Sequence, residues 1–162
     1  MKKILIILLC FPMIGFGQNV YIPDANFKAY LVGNTAINTN GDSEIQVSEA
    51  NSWNGSIYCD NMNISDLTGI EAFTTLSVLN CNFNALTSLD VSQNTGLWYL
   101  WCMNNQLTSL DISNNTALFY LMCTNNQLTS LDLSNNTALT NLGCSDNQLT
   151  SLDLRNGSFG TI

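Results

Sequence analysis

The 162-residue chain has no histidine and only four basic residues against twelve acidic ones, a formal net charge of −8. Lacking histidine, it lacks the side chain most used as general base and metal ligand, which removes the usual parts of most hydrolase chemistry. The acidic balance makes nucleic acid and anionic membrane poor partners, because both repel it. No two of the six cysteines form the close pair of a zinc knuckle. Five of them, Cys59, Cys81, Cys102, Cys123 and Cys144, lie beyond the N-terminal segment; an odd number at regular spacing is not a disulfide framework. They read as buried free thiols acting as small hydrophobes, though neighbouring thiols could come within bonding range.

The first residues look like an export signal. "MKK" is positive, "ILIILLCFPMI" is apolar, and Gly15 and Gly17 are small residues suited to cleavage before Gln18. A membrane anchor would need roughly 20 apolar residues and a flank that stops transfer, and lipid attachment at Cys10 is disfavoured by the bulky Leu9 before it. Removal of 1–17 leaves Lys28 and Arg155 as the remaining basic residues and no stable membrane span.

The rest is dominated by a repeat. "LWYLWCMNNQLTSLDISNN", Leu97 to Asn115, recurs as "LFYLMCTNNQLTSLDLSNN" twenty-one residues later, and Cys81, Cys102, Cys123 and Cys144 fall one per period. A catalytic cysteine has no reason to recur at a fixed interval, whereas a core position in stacked coils must. One unit cannot bury its apolar side alone, so the units stack as a solenoid with a continuous core. In the first unit, "ISDLTGIEAFTTL" replaces the "LTSLDxS" half while the cysteine half persists. The cysteine half is therefore expected to carry continuous parallel front strands: Ile57–Cys59, Leu79–Cys81, Leu100–Cys102, Leu121–Cys123 and Leu142–Cys144. The other half is expected to form short back strands. Asn84, Asn105, Asn126 and Asn147 should close the turn after each front strand, their amides bonding adjacent coils as a ladder; Met62 interrupts it in the first unit.

On Leu121, Cys123, Asn126, Leu128, Leu131 and their counterparts, the chain from Ile57 to about Leu154 resembles the bacterial leucine-rich repeat family of the surface-exposed, internalin-like kind. The resemblance implies an α/β solenoid: a right-handed coil with a parallel front sheet, short back strands and a small N-terminal helical cap, whose sheet binds another macromolecule. Expected boundaries are a signal peptide at 1–17, a cap at 18–56, and about five units of 21–22 residues over 57–162. The pattern is lost at Arg155 and Gly157; either Phe159 and Ile162 fold back over the last coil or, the favoured expectation, the solenoid is incomplete at its C-terminus.

Two surface features invite functional readings. Alternation turns Tyr99, Trp101, Tyr120 and Met122 outward on the front face, with Trp98 and Phe119 just before it at the coil corner. These residues vary while their framework repeats. They are either cross-strand packing or a recognition patch for protein or glycan. Asp90, Asp111, Asp132 and Asp153 recur on the back, about 5 Å apart if the coils stack. Equivalent acids on a convex row are a poor acid and base pair, so no enzyme activity is expected.

Ahead of the repeats, "IPDANFKAYLVGN" reads as a short helix capped by Asp24, with Phe27, Tyr30 and Leu31 apolar; "VSEAN" is a second. Between them, Asn38, Asn40, Asp42, Glu44 and Glu49 follow EF-hand calcium-loop spacing, with Asn38 in place of the usual aspartate and Ser43 in place of glycine. The segment is a weak structural calcium site or a plain polar loop. The leading expectation is an exported, non-enzymatic module, secreted or at the cell surface, binding protein or glycan through its front sheet. The alternative is a structural or adhesion spacer within a longer cell-surface protein.

Overall fold

The computed structural model of the chain describes residues 17–154. The expected signal peptide, Gly17 apart, and the C-terminal stretch holding Phe159 and Ile162 lie outside the described residues. Two short helices, α1 (Ala25–Gly33) and α2 (Val47–Ser52), precede five strands: β1 (Ser56–Tyr58), β2 (Val78–Asn80), β3 (Tyr99–Trp101), β4 (Tyr120–Met122) and β5 (Asn141–Gly143). The strands pair in chain order, all parallel, one per coil. Ile57, Leu79, Leu100, Leu121 and Leu142 stand opposite one another and form one buried column. Among the described residues no helix is long and apolar enough to cross a membrane.

Each strand starts and stops one residue before the expected span. The cysteine amide still bonds the next coil, Cys102 N to Met122 O at 2.8 Å, but the chain is already leaving the sheet. Two residues on it adopts a left-handed turn, at Asn61, Phe83, Asn104, Asn125 and Asp146, with φ between 52° and 56°. Asn and Asp tolerate that conformation; Phe83, 56% exposed, is the bulky exception.

The asparagines beside this turn tie coil to coil. Asn126 Nδ2 donates to Cys102 O of the preceding coil at 2.9 Å and to Cys123 O of its own at 3.0 Å, while its Oδ1 accepts from Leu107 N at 3.0 Å. Asn105 and Asn147 repeat the arrangement. Asn84 performs it for the first coil, accepting from Met62 N and Ile64 N. A second row, Asn94, Asn115 and Asn136, lies buried at the back corner; Asn115 Nδ2 donates to Val91 O at 3.0 Å and Asn94 O at 2.9 Å.

The expected short back strands do not form among the described residues; Asp90 and Asp111 make one isolated parallel bridge. The cause is local. Asp90, Asp111 and Asp132 each accept a hydrogen bond from the amide two residues on, Ser92, Ser113 and Ser134, at 2.8–2.9 Å. Such Asx turns bend the chain where a strand would run straight.

Cys59, Cys81, Cys102 and Cys123 are fully buried and Cys144 is half-buried, all as free thiols. Burial pushes the Cys59 and Cys123 thiols up to about 12, and Cys81 and Cys102 well above the usual thiol range. A thiol held protonated is no nucleophile. The column is core.

At the N-terminal end the cap closes the solenoid. Asp24 Oδ1 accepts from Asn26 N and Phe27 N to start α1, while its Oδ2 accepts from Ser65 N and Oγ of the first coil. Phe27 and Leu31 pack inward, and the Tyr30 hydroxyl accepts from Tyr58 N at 2.9 Å, occupying part of the free edge of β1. Gly69, at φ +106°, lets Ile22 of the cap approach closer than a Cβ would allow.

Candidate functional site

The front of β3 and β4 presents an unbroken group of rings. Tyr99 stands opposite Tyr120 and Trp101 opposite Met122, so these four share one face. Tyr99 and Tyr120 lie 5.7 Å apart between centroids, Tyr99 and Trp101 5.9 Å, and Trp101 and Tyr120 6.2 Å. Trp98 and Phe119 belong to the same cluster: Trp98 is 5.4 Å from Tyr99 and 5.7 Å from Phe119. Simple alternation hides this, and the backbone explains why. Ser77 O accepts from both Trp98 N and Tyr99 N, at 2.8 and 3.2 Å; Trp98 O accepts from both Phe119 N and Tyr120 N, at 2.9 and 3.1 Å. One carbonyl shared by two successive amides marks where the chain enters each strand; the buried leucines there, Leu97 and Leu100 or Leu118 and Leu121, are three apart, so the two residues between them turn outward together.

The cluster is exposed unevenly. Trp98 is 51% exposed, while Tyr99, Trp101, Phe119, Tyr120 and Met122 are half-buried. Most ring pairs meet edge-on or tilted, so each ring supports its neighbours. The Met122 sulfur lies over Gly143, where a Cβ would overlap it. Strands β2 to β5 contain no charged residue, although the chain as a whole carries −8. The flanking positions are Ser77, Val78 and Asn80 on one side and Thr140, Asn141 and Gly143 on the other, polar or small apart from Val78 opposite Tyr99.

The back row of acids is chemically uniform. Hydrogen bonds from Ser92, Ser113 and Ser134 hold the Asp90, Asp111 and Asp132 carboxyls below the usual carboxylate range. An acid and base pair needs one member raised and one lowered. None of these three is raised.

Of the candidate calcium residues, Asn38, Asn40, Asp42 and Glu49 come together in the loop between α1 and α2, and the Glu44 side chain turns away to pair with Lys28 at 2.6 Å. Sequence reasoning missed Trp98 and Phe119 as members of the ring cluster, and missed Asn94, Asn115 and Asn136. The asparagines had a signal, their recurrence every twenty-one residues. For the rings the signal was the three-residue step from Leu97 to Leu100 and from Leu118 to Leu121, which leaves two outward positions where strict alternation allows one.

No family model matches the chain. A stretch of 78 residues, 48% of the chain, is 41% identical to Internalin J of Listeria monocytogenes serotype 4b. The solved functional domain of that protein, described as including a cysteine ladder, superposes with a TM-score of 0.76 at 41% identity over 86% of this chain. The coils are internalin-like leucine-rich repeats. Internalin InlF, at 20% identity and TM-score 0.64, covers 86% of this chain and 49% of its own; at that identity it shows the fold alone. The chain spans 8% of the length of Internalin J and 31% of the solved domain, so the internalin likeness describes these coils rather than a whole protein.

Proposed function

We propose that this internalin-like chain is an exported, non-enzymatic recognition module, acting at the cell surface or outside the cell, that binds its partner through the ring cluster of β3 and β4. The observation that carries the reading is the contrast between a framework repeated coil after coil and the six side chains Trp98, Tyr99, Trp101, Phe119, Tyr120 and Met122 that vary on it. Protein fits better than glycan. Trp, Tyr, Phe and Met in an uncharged centre, with Ser77, Asn80, Thr140 and Asn141 at its margins, have the composition of a protein interface core and its rim. Rings tilted against one another offer little flat platform for a sugar.

Trp101→Ala tests it. Affinity for an extracellular protein partner, measured on the purified chain, should fall by about 2 kcal/mol or more, the scale of an aromatic hot spot. The melting temperature should change little, because Leu100 and Cys102 still fill the coil interior. The ring-to-ring contacts favour a second reading, in which the rings brace the sheet and the coils act as a spacer. Under that reading the melting temperature falls and binding persists.

A further inference from the structure

The loop between α1 and α2 has the residue spacing of a calcium loop but not the orientation of its polar groups. Glu49, at the position that normally supplies two oxygens to the ion, is 8% exposed and accepts from inside the loop. Its Oε1 accepts from Thr39 N at 2.7 Å, Thr39 Oγ1 at 2.9 Å and Asn40 N at 3.2 Å, and its Oε2 from Gln46 N at 3.0 Å. Asn40 Nδ2 donates to Asp42 Oδ2 at 2.9 Å and to Gln46 Oε1 at 2.7 Å, and Gln46 Nε2 donates to Asp42 Oδ2 at 3.0 Å. Asn38 Nδ2 bridges Val32 O and Asp42 O at 3.0 and 2.8 Å, while its Oδ1 accepts from Gly41 N. Asp42 Oδ1 accepts from Glu44 N at 2.7 Å.

Calcium takes six to eight oxygen ligands and gains affinity with the number of carboxylates. Here the carboxylates of Asp42 and Glu49 face N–H groups, and the Glu44 carboxylate is on Lys28. Among the described residues no three acidic, cysteine or histidine side chains converge as a metal would need. A cation could enter only if the Asn40 and Gln46 amides reversed and Glu49 released its donors. The residues in this arrangement do not fit the ion.

We propose that the loop is closed by its own amides: Glu49 is a fixed internal anion, and the N–H groups of Thr39, Asn40 and Gln46 take the place of the cation. Charge-assisted hydrogen bonds from several donors to one buried carboxylate give such a closure its strength. The loop thereby ties the Gln18–Val20 segment to the residues that lead into α2, through Val20 N to Ile45 O and Val47 N to Gln18 O, both at 2.8 Å.

Thermal unfolding and calorimetric calcium titration of the purified chain test this. On passing from EDTA to about 10 mM calcium the wild-type melting temperature should move by less than about 1 °C, and titration should give no binding heat; an occupied extracellular-grade site would raise it by about 3 °C or more. Glu49→Gln should lower the melting temperature equally in EDTA and in calcium. Asn40→Asp removes the amide donors and faces Asp42 with a second carboxylate, so it should lower the melting temperature in EDTA and make it recoverable by calcium. A wild-type rise of about 3 °C or more that Glu49→Gln abolishes would overturn the proposal. So would an Asn40→Asp variant as stable as wild type in EDTA. If Glu49→Gln fails to fold, the wild-type titration and the Asn40→Asp variant still decide.

Discussion

The coils and the cap solve the same problem in opposite ways. Each must satisfy buried backbone groups that lack a partner in regular structure. The coils do it by repetition: one asparagine per turn, at Asn84, Asn105, Asn126 and Asn147, bonds its own coil and the one before, and every new coil extends the same ladder. The cap does it once, with Asp24 and Glu49, each accepting several hydrogen bonds. Damage to a ladder position should therefore be felt along the stack, and damage to the cap should remain local.

The largest effect is expected in the ladder. Asn126→Ala leaves the buried Leu107 N–H without its acceptor and removes the bond to Cys102 O, and should cost about 2–3 kcal/mol in denaturant unfolding. A loss below the level of an ordinary surface substitution would break the comparison. Cys123→Ser is expected to cost somewhat less, about 1–3 kcal/mol, by placing a hydroxyl in an apolar column. In the native protein Cys59, Cys81, Cys102 and Cys123 should resist alkylation that denaturation makes fast, and the half-buried Cys144 should react before them.

Acid sharpens the contrast from the side of the cap. Burial by itself would raise the Glu49 carboxyl, but hydrogen bonds from Gln46, Thr39 and Asn40 hold it below its ordinary value of 4.5. Burial likewise opposes, and bonds from Phe27, Ser65 and Asn26 outweigh it, so Asp24 sits below 3.8. A carboxyl lowered on folding contributes stability that is complete above its unfolded value and is lost as pH falls through the folded one. Between neutral pH and about 5 the cap should keep its strength, and it should weaken progressively below 4.5. Hydrogen exchange should show the Val20 and Val47 amides losing protection at higher pH than the Cys102 amide. The smallest expected effect on stability is that of Trp101→Ala, under about 1 kcal/mol, since the side chain is only half-buried.

Periodicity made the coils legible. Leucine, cysteine and asparagine at twenty-one-residue intervals have one economical explanation, and inward columns, parallel pairing and the ladder follow from it. The back half was misjudged because "LTSLDxS" has the alternation of a strand, while the bond from Asp90 Oδ1 to Ser92 N depends on a side chain reaching its own backbone. That competition does not show in hydrophobic pattern.

From its sequence alone this protein was bound to be a solenoid with a column of cysteines and an acidic, histidine-free surface, because stacking converts a linear period directly into a shared interior. Only the tertiary structure decided that Trp98 and Phe119 join Tyr99, Trp101 and Tyr120 in one cluster, since the paired amides on Ser77 O and Trp98 O exist only when one coil lies on the next. It alone decided, too, that Glu49 faces the loop's amides. The spacing of oxygen-bearing residues sets which groups can meet, but which way an Asn40 or Gln46 amide turns depends on the partners the fold brings within reach.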